Sequence, residues 1–258
     1  MNIKLIVTDL DRTLLNTDKT ISDYTSRILA RCREQGIKVA FATARSEAQS
    51  KKFVDSIKPD AVISNGGAIV RVGDTAIYRA VIDAKTADKL IHACARQPSV
   101  TYITADTDKG YFVDRPIDDS DPNWADYLPV RHIDFSQGLG CDAYKITIEC
   151  LDSAVVGEIA AALPAISVTA FFGENWYGFA DKAAGKWRGV ASLLEHFGFS
   201  KADVAAFGDD FSDVEMIREC GIGVAVANAI DDVKAAADYI CGANGENGVA
   251  RWLEEHVL

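Results

Sequence analysis

The sequence predicts an α/β fold: a Rossmann-like, doubly wound parallel-sheet core interrupted by an inserted α+β cap domain. Three observations carry this prediction. Short apolar runs alternate with helical stretches over residues 1–81 and again over residues 182–258. Between residues 82 and 181, candidate strands often follow strands directly. Charge divides along the same lines. Residues 82–181 hold 16 Asp and Glu against 7 Lys and Arg, a net of −9; the two flanking segments together hold 22 against 20, a net of −2.

In order along the chain, Ile3–Thr8 is an apolar run of buried-strand type. Ser22 is placed to cap a helix with Ile28, Leu29 and Cys32 at helical spacing, and Gly36 is its stop. Ile37–Ala42 is a second strand, and a helix opens near Ser46. Ala61–Ser64 is a third strand, broken by Asn65-Gly66-Gly67. In the insert, Asp83–Arg96 and Ser153–Leu163 read as helices. Val100–Thr104, Tyr111–Val113, Ala143–Cys150, Ser167–Phe171 and Trp176–Phe179 read as strands. The last block repeats the first: helix Val190–Phe197 closed by Gly198, strand Val204–Phe207, helix Asp213–Cys220 and strand Gly223–Val226. Helix Asp231–Ala237, strand Tyr239–Cys241 and helix Val249–His256 follow.

Composition excludes several classes. With 48% hydrophobic and 25% charged residues, the chain is neither disordered nor fibrous nor a coiled coil. The 258 residues suffice for a core without disulfide or metal support. A net charge of −11 opposes nucleic-acid binding, and no basic cluster flanks an apolar stretch as membrane-surface binding requires. The apolar opening is shorter than a signal peptide or membrane span needs. Six scattered cysteines without CxxC spacing argue against zinc and predict reduced thiols in the cytoplasm.

The chemistry is expected where strands end, because open parallel sheets bind ligands beyond the carboxyl ends of their strands. Strand one runs into Asp9-Leu10-Asp11-Arg12-Thr13, strand two into Thr43, and the strand at 204–207 into Gly208-Asp209-Asp210-Phe211-Ser212-Asp213. Asp9 and Asp11, two apart, share one side of an extended chain; Asp209 and Asp213, four apart, can face one way. Two carboxylates 4 Å apart repel by about 4 kcal/mol at an effective dielectric of 20. Such a cluster takes up protons or holds a cation, and all-oxygen ligands favour Mg²⁺. A carboxylate-bound cation suits a phosphoryl substrate. One Asp can attack phosphorus, a second can move protons, and Lys186 can neutralise phosphoryl oxygens.

At these residues the sequence resembles the haloacid dehalogenase-like phosphatase superfamily, and more closely its Cof-type branch with a type IIB cap. The family's DxDGT[LV] stands here as Asp9-Leu10-Asp11-Arg12-Thr13-Leu14, and its strand-two Thr or Ser as Thr43 in Phe41-Ala42-Thr43-Ala44-Arg45. Its lysine is matched by Lys186 and its GDxxxD by Gly208, Asp209 and Asp213. The resemblance implies Asp9 as nucleophile and Mg²⁺ ligand, and Asp11 as general acid/base lending its backbone carbonyl to the metal. Thr43 and Lys186 would hold the phosphoryl group. Asp209 would bind Mg²⁺, with Asp213 supporting or joining it. It further implies a small phosphorylated substrate, and a cap between the second and third motifs that selects it. Asn228 matches a recurring structural position. Arg12, Trp187, Ser212 and Asn247 depart from the usual Gly, Gly, Asn and Asp.

Blander roles compete at several positions. Asp9 and Asp11 can be turn residues, Thr43 a helix-start residue, Asp213 a helix cap, and Lys182 a rival to Lys186. Asp210 reads as outward-facing. Residues 114–121 read as a solvated turn, and Phe171-Phe172 with Trp176-Tyr177 as cap core. Two alternatives to hydrolysis stay open at this stage. One is a phosphosugar mutase using the same aspartyl-phosphate; the other is a non-catalytic phosphate-binding module.

Overall fold

A computed structural model of the protein describes residues 3–117, 130–171 and 175–258. The chain begins β1 (Leu5–Thr8), α1 (Asp23–Glu34), β2 (Lys38–Ala42), α2 (Glu47–Ile57), β3 (Ala61–Ser64), β4 (Ile69–Val72) and β5 (Thr75–Arg79). It continues α3 (Ala84–Ala95), β6 (Val100–Thr107), β7 (Gly110–Val113), β8 (Val130–His132), β9 (Lys145–Cys150), α4 (Ser153–Ala161), β10 (Ile166–Ala170) and β11 (Trp176–Asp181). It ends α5 (Lys186–Phe197), β12 (Val204–Gly208), α6 (Val214–Glu219), β13 (Ile222–Val226), α7 (Asp231–Ala236), β14 (Tyr239–Cys241) and α8 (Gly248–His256).

Two compact units result. Met1–Tyr78 and Gly185–Leu258 form one, and Arg79–Ala184 the other. The sequence reading placed its boundaries at 81/82 and 181/182. Each unit has its own apolar core, one built around Leu5, Ile6, Phe41 and Phe207, the other around Ile103, Ile146, Ile148 and Phe179.

The first unit is an eight-stranded sheet in the order β14-β13-β12-β1-β2-β3-β4-β5. Its six strands from β14 to β3 pair in parallel. All four residues of β1 are buried, as expected for a central parallel strand covered on both faces. From β1 the chain winds outward through β2 and β3, then returns to β12 on its other side. That is a topological switch point, where the carboxyl ends open a crevice. The register is decisive: Thr8 lies level with Phe207 of β12 and Phe41 of β2. Asp9, Asp209 and Thr43 therefore emerge together at one edge.

Local signals explain the helices that position this edge. The Ser22 hydroxyl accepts the Thr25 N–H at 3.0 Å, and Ser46 forms a reciprocal capping box with Gln49. Gly198, at φ 68°, closes α5.

Three features depart from the sequence reading. β4 pairs antiparallel with β3, and β5 extends the edge, so the sheet is mixed. Ile69 and Val70 of β4 are buried, whereas β5 is intermediate to exposed along its whole length. Helix α5 starts at Lys186 rather than Val190: its first turn mixes Lys186 and Arg188 with Trp187, and its Gly189 packs where a Cβ would lie 2.5 Å from Ile63. β8 was not anticipated either.

The second unit is a six-stranded sheet in the order β10-β11-β9-β6-β7-β8, antiparallel except for β7 with β8. Trp176 meets Tyr102 edge-on at 5.7 Å, and Tyr177 packs against this unit's apolar core. Phe172 and residues 118–121 lie outside the described residues. Among the described residues no helix is long and apolar enough to cross a membrane. All six cysteines are free. Burial pushes the thiols of Cys94, Cys220 and Cys241 up to about 12, which leaves them unreactive.

Candidate active site

The residues following β1, β12 and α6's cap converge with the first residue of α5. Lys186 Nζ donates to Asp9 Oδ1 at 2.7 Å and to Asp213 Oδ1 at 2.6 Å. All three residues are buried, at 3%, 5% and 0% exposure. One carboxylate oxygen from each of Asp9, Asp209 and Asp213 lies within 4.8 Å of the others. Thr13 donates to Asp209 Oδ1 at 2.8 Å. The other Asp213 oxygen accepts the N–H groups of Asp209 and Asp210 at 3.1 and 3.2 Å. Asp213 thus folds back over the loop it follows. A Cβ on Gly208 would lie 2.5 Å from the Asp213 Cβ, so glycine is required there.

Three formal negative charges face one buried ammonium, and the electrostatics follow. Burial raises the Asp9 carboxyl well above its usual range; Lys186 opposes this, while Asp213, Asp209 and Asp11 add to it. Burial also lifts Asp209, to about 6, against the pull of the Thr13 hydrogen bond and with a further push from Asp213. At Lys186 burial favours the neutral amine, yet the attraction of Asp213 and Asp9 outweighs it and holds the proton above the usual lysine range.

Asp11 and Thr43 take a different position. Arg45 grips Asp11 with two bonds, Nε to Oδ2 at 2.6 Å and Nη2 to Oδ1 at 2.7 Å. The buried Thr43 hydroxyl accepts the Arg45 N–H at 3.1 Å. Lys182, the rival lysine, is exposed. Asp210 caps the following turn, accepting from the Phe211 N–H at 2.7 Å.

A family model for haloacid dehalogenase-like hydrolases matches residues 6–253. The chain belongs to that family. This haloacid dehalogenase-like hydrolase is 27% identical to the 5-amino-6-(5-phospho-D-ribitylamino)uracil phosphatase YcsE of Bacillus subtilis, over 100% of this chain and 97% of that one. It is 26% identical to the pyridoxal phosphate phosphatase YbhA of Escherichia coli, over the whole of both chains. The solved structure of a subclass IIB sugar phosphatase of the same superfamily shares the fold, with a TM-score of 0.85 at 24% identity and 98% of each chain covered.

The family departures have structural accounts. Arg12 adopts φ 59°, ψ 6°, the left-handed conformation glycine would take freely. Its guanidinium is half-exposed, with Nε 3.6 Å from Asp209 Oδ2, and Nη2 donates to the Asn228 carbonyl at 3.3 Å. Asn228 Nδ2 donates to the Arg12 carbonyl at 2.8 Å and its Oδ1 accepts the Asn244 N–H at 2.9 Å. Asn228 therefore ties the turn after Asp9 to the loop after β14. Asn247 sits at φ 57°, where asparagine is favoured, and accepts the Ser22 hydroxyl at 2.6 Å. Trp187 packs under Lys201, whose Nζ lies 4.9 Å from its ring. Nothing in the structure explains Ser212.

Sequence reasoning missed Thr13 and Arg45 as members of this constellation. Thr13 sits in a quoted motif, and Arg45 lies two residues after Thr43. Their partners are 196 and 34 residues away, a pairing that only the β12-β1-β2 order creates.

Proposed function

We propose that this hydrolase is a Mg²⁺-dependent phosphomonoesterase for small phosphorylated metabolites, sugar phosphates among them, working through an aspartyl-phosphate on Asp9. The observation that carries the reading is the Lys186 ammonium bridging Asp9 and Asp213 beside a buried, all-oxygen acid cluster. The names of the relatives, which act on a phosphoribitylamino-uracil and on pyridoxal phosphate, support the same substrate class.

The donor set fits a hard divalent cation: three buried carboxylates converge, and burial favours protons on two of them when nothing else neutralises the charge. Asp9, Asp209 and the Asp11 carbonyl would hold Mg²⁺. Asp213, with both oxygens already bonded, supports them from behind. The ion would offset the charge of phosphoryl oxygens and nucleophile when bound.

In the first half-reaction an Asp9 carboxylate oxygen forms a bond to phosphorus and the P–O ester bond breaks. Asp11 gives a proton to the leaving oxygen. In the second, Asp11 takes a proton from water as that water attacks phosphorus, and the P–O bond to Asp9 breaks to release phosphate. Both Asp11 oxygens are engaged by Arg45, so each proton transfer requires one of those bonds to open. Lys186 and the Thr43 hydroxyl orient the phosphoryl group. Residues 79–184 would serve as the cap that selects the leaving group. The net charge of −9 on residues 82–181 disfavours large polyanions there. The reduced cysteines suit a cytoplasmic setting.

The test is p-nitrophenyl phosphate hydrolysis. Mg²⁺ should support turnover, and EDTA should suppress it on the order of a hundredfold, reversibly. Full activity in EDTA overturns the metal requirement, and no phosphate release from any phosphomonoester overturns the reading. A panel of phosphorylated metabolites ranked by kcat/KM then identifies the substrate.

Arg12 bears on the same site, because its guanidinium competes with a cation for Asp209. Arg12→Gly is expected to lower the Mg²⁺ midpoint about fivefold, the worth of roughly 1 kcal/mol between exposed charges. A Mg²⁺ titration followed by thermal melting reads this; an unchanged midpoint means the guanidinium does not compete.

A further inference from the structure

Asn65 is a buried polar group that the mechanism above leaves unused. It follows β3 at φ 52° and is only 2% exposed. Neither its Nδ2 nor its Oδ1 has a hydrogen-bond partner among the described residues. Unmade amide hydrogen bonds in a buried place are costly. Buried side-chain amides in folded proteins are therefore nearly always satisfied, by protein, water or ligand.

The backbone fixes where this amide sits. The Asn65 N–H donates to the Arg45 carbonyl at 2.8 Å, and the next N–H, of Gly66, donates to the Thr43 carbonyl at 2.9 Å. On its other side the turn touches α5. A Cβ on Gly67 would lie 2.1 Å from the carbonyl oxygen of Gly185, the residue immediately before Lys186. The Asn65-Gly66-Gly67 turn thus lies between the Thr43 backbone and the residue before Lys186, at the carboxyl end of the strand next to β2.

We propose that the Asn65 carboxamide is a positioning group for the phosphoryl moiety, its Nδ2–H donating to a phosphoryl oxygen. A phosphoryl group offers only acceptors to such a donor at neutral pH, and Oδ1 takes a hydrogen bond from water admitted with it. The assignment rests on the phosphatase reading. The blander role for Asn65 is conformational, since asparagine tolerates the left-handed region. Glycine tolerates it as well, so Asn65→Gly keeps the backbone and removes only the carboxamide.

The experiment is calorimetric titration of the full-length protein with inorganic phosphate in the presence of Mg²⁺, alongside thermal melts, for wild type, Asn65→Gly and Asn65→Asp. The expected result is a phosphate Kd raised about tenfold in Asn65→Gly with a melting temperature close to wild type. Asn65→Asp, which keeps the shape but replaces the donor by an acceptor, should weaken phosphate at least as much. Wild-type phosphate affinity in Asn65→Gly overturns the assignment, as does a large loss of stability with affinity intact. If the glycine variant fails to fold, wild-type affinity in Asn65→Asp overturns it instead. A wild-type protein that releases phosphate from no phosphomonoester removes the phosphatase reading, and this assignment with it; one that hydrolyses but binds no phosphate overturns this assignment alone.

Discussion

Asp9→Asn is expected to lower turnover by about 10⁴-fold or more while the protein stays folded. The amide nitrogen and oxygen of asparagine do not form the acyl-phosphate that a carboxylate oxygen forms, so the covalent route closes. Removal of a nucleophile costs this order of magnitude in enzymes whose other groups remain in place. The fold should tolerate the change, because Asp9 is buried among like charges and its ionised form is already disfavoured there. Lys186 keeps its 2.6 Å bond to Asp213 in the variant. Steady-state hydrolysis and a thermal melt measure the two effects separately. Mass spectrometry of acid-quenched wild-type enzyme should find a phosphoryl adduct on the peptide containing Asp9 and none in the variant. Wild-type turnover in Asp9→Asn, or an adduct on another residue, would refute the nucleophile assignment.

The contrast between Asp9 and Arg45 shows what the sequence reveals and what it conceals. Asp9 and Asp209 drew notice because acids directly after a buried apolar run conflict with burial, and that conflict can be read one strand at a time; Asp213 was reached through its four-residue spacing from Asp209. Lys186 was offered as a neutraliser of phosphoryl oxygens and then matched to the family's lysine, but nothing in Ala184-Gly185-Lys186 shows that it is 3% exposed. The grip of Arg45 on Asp11 arises because β1 and β2 are neighbours in register, and no local pattern encodes it. The same holds for Asn65, whose Asn-Gly-Gly signal reads as a turn. In the fold, the continuous runs of the central strands were plain. The β4–β5 hairpin was harder to read: Asn65-Gly66-Gly67 sets its short runs apart from β3, and β5 forms the partly exposed edge of the sheet, where burial constrains composition least. The start of α5 was hidden for a related reason. Lys186, at its start, points to the acid cluster while Trp187 and Gly189 pack on the apolar core, so the lysine breaks the hydrophobic period that marks the rest of the helix.

Lys186→Met should be the most destabilising single change in the first unit's polar network. Among the described residues the ammonium is the one cation bonded to both Asp9 and Asp213, at 2.7 and 2.6 Å, with side chains 7% exposed or less. Removing one partner of a buried ion pair leaves uncompensated charge and costs about 3–5 kcal/mol. For a chain of this length each kcal/mol moves the midpoint by about 2–4 °C, so Tm should fall by about 10 °C, read by calorimetry. A surface pair gives the scale for comparison. Arg31–Glu254 is equally short at 2.7 Å, but its side chains are 50% and 44% exposed, and breaking it should cost about 1 kcal/mol or less. Bond length alone therefore does not set the penalty; the missing water does. The double variant Lys186→Met with Asp213→Asn separates charge from packing. If the loss comes from stranded carboxylates, neutralising one of them should return part of the lost stability, so the two changes cost less together than the sum of their separate effects. Strict additivity, or a Lys186→Met protein as stable as wild type, would mean that the ammonium does not hold this cluster together.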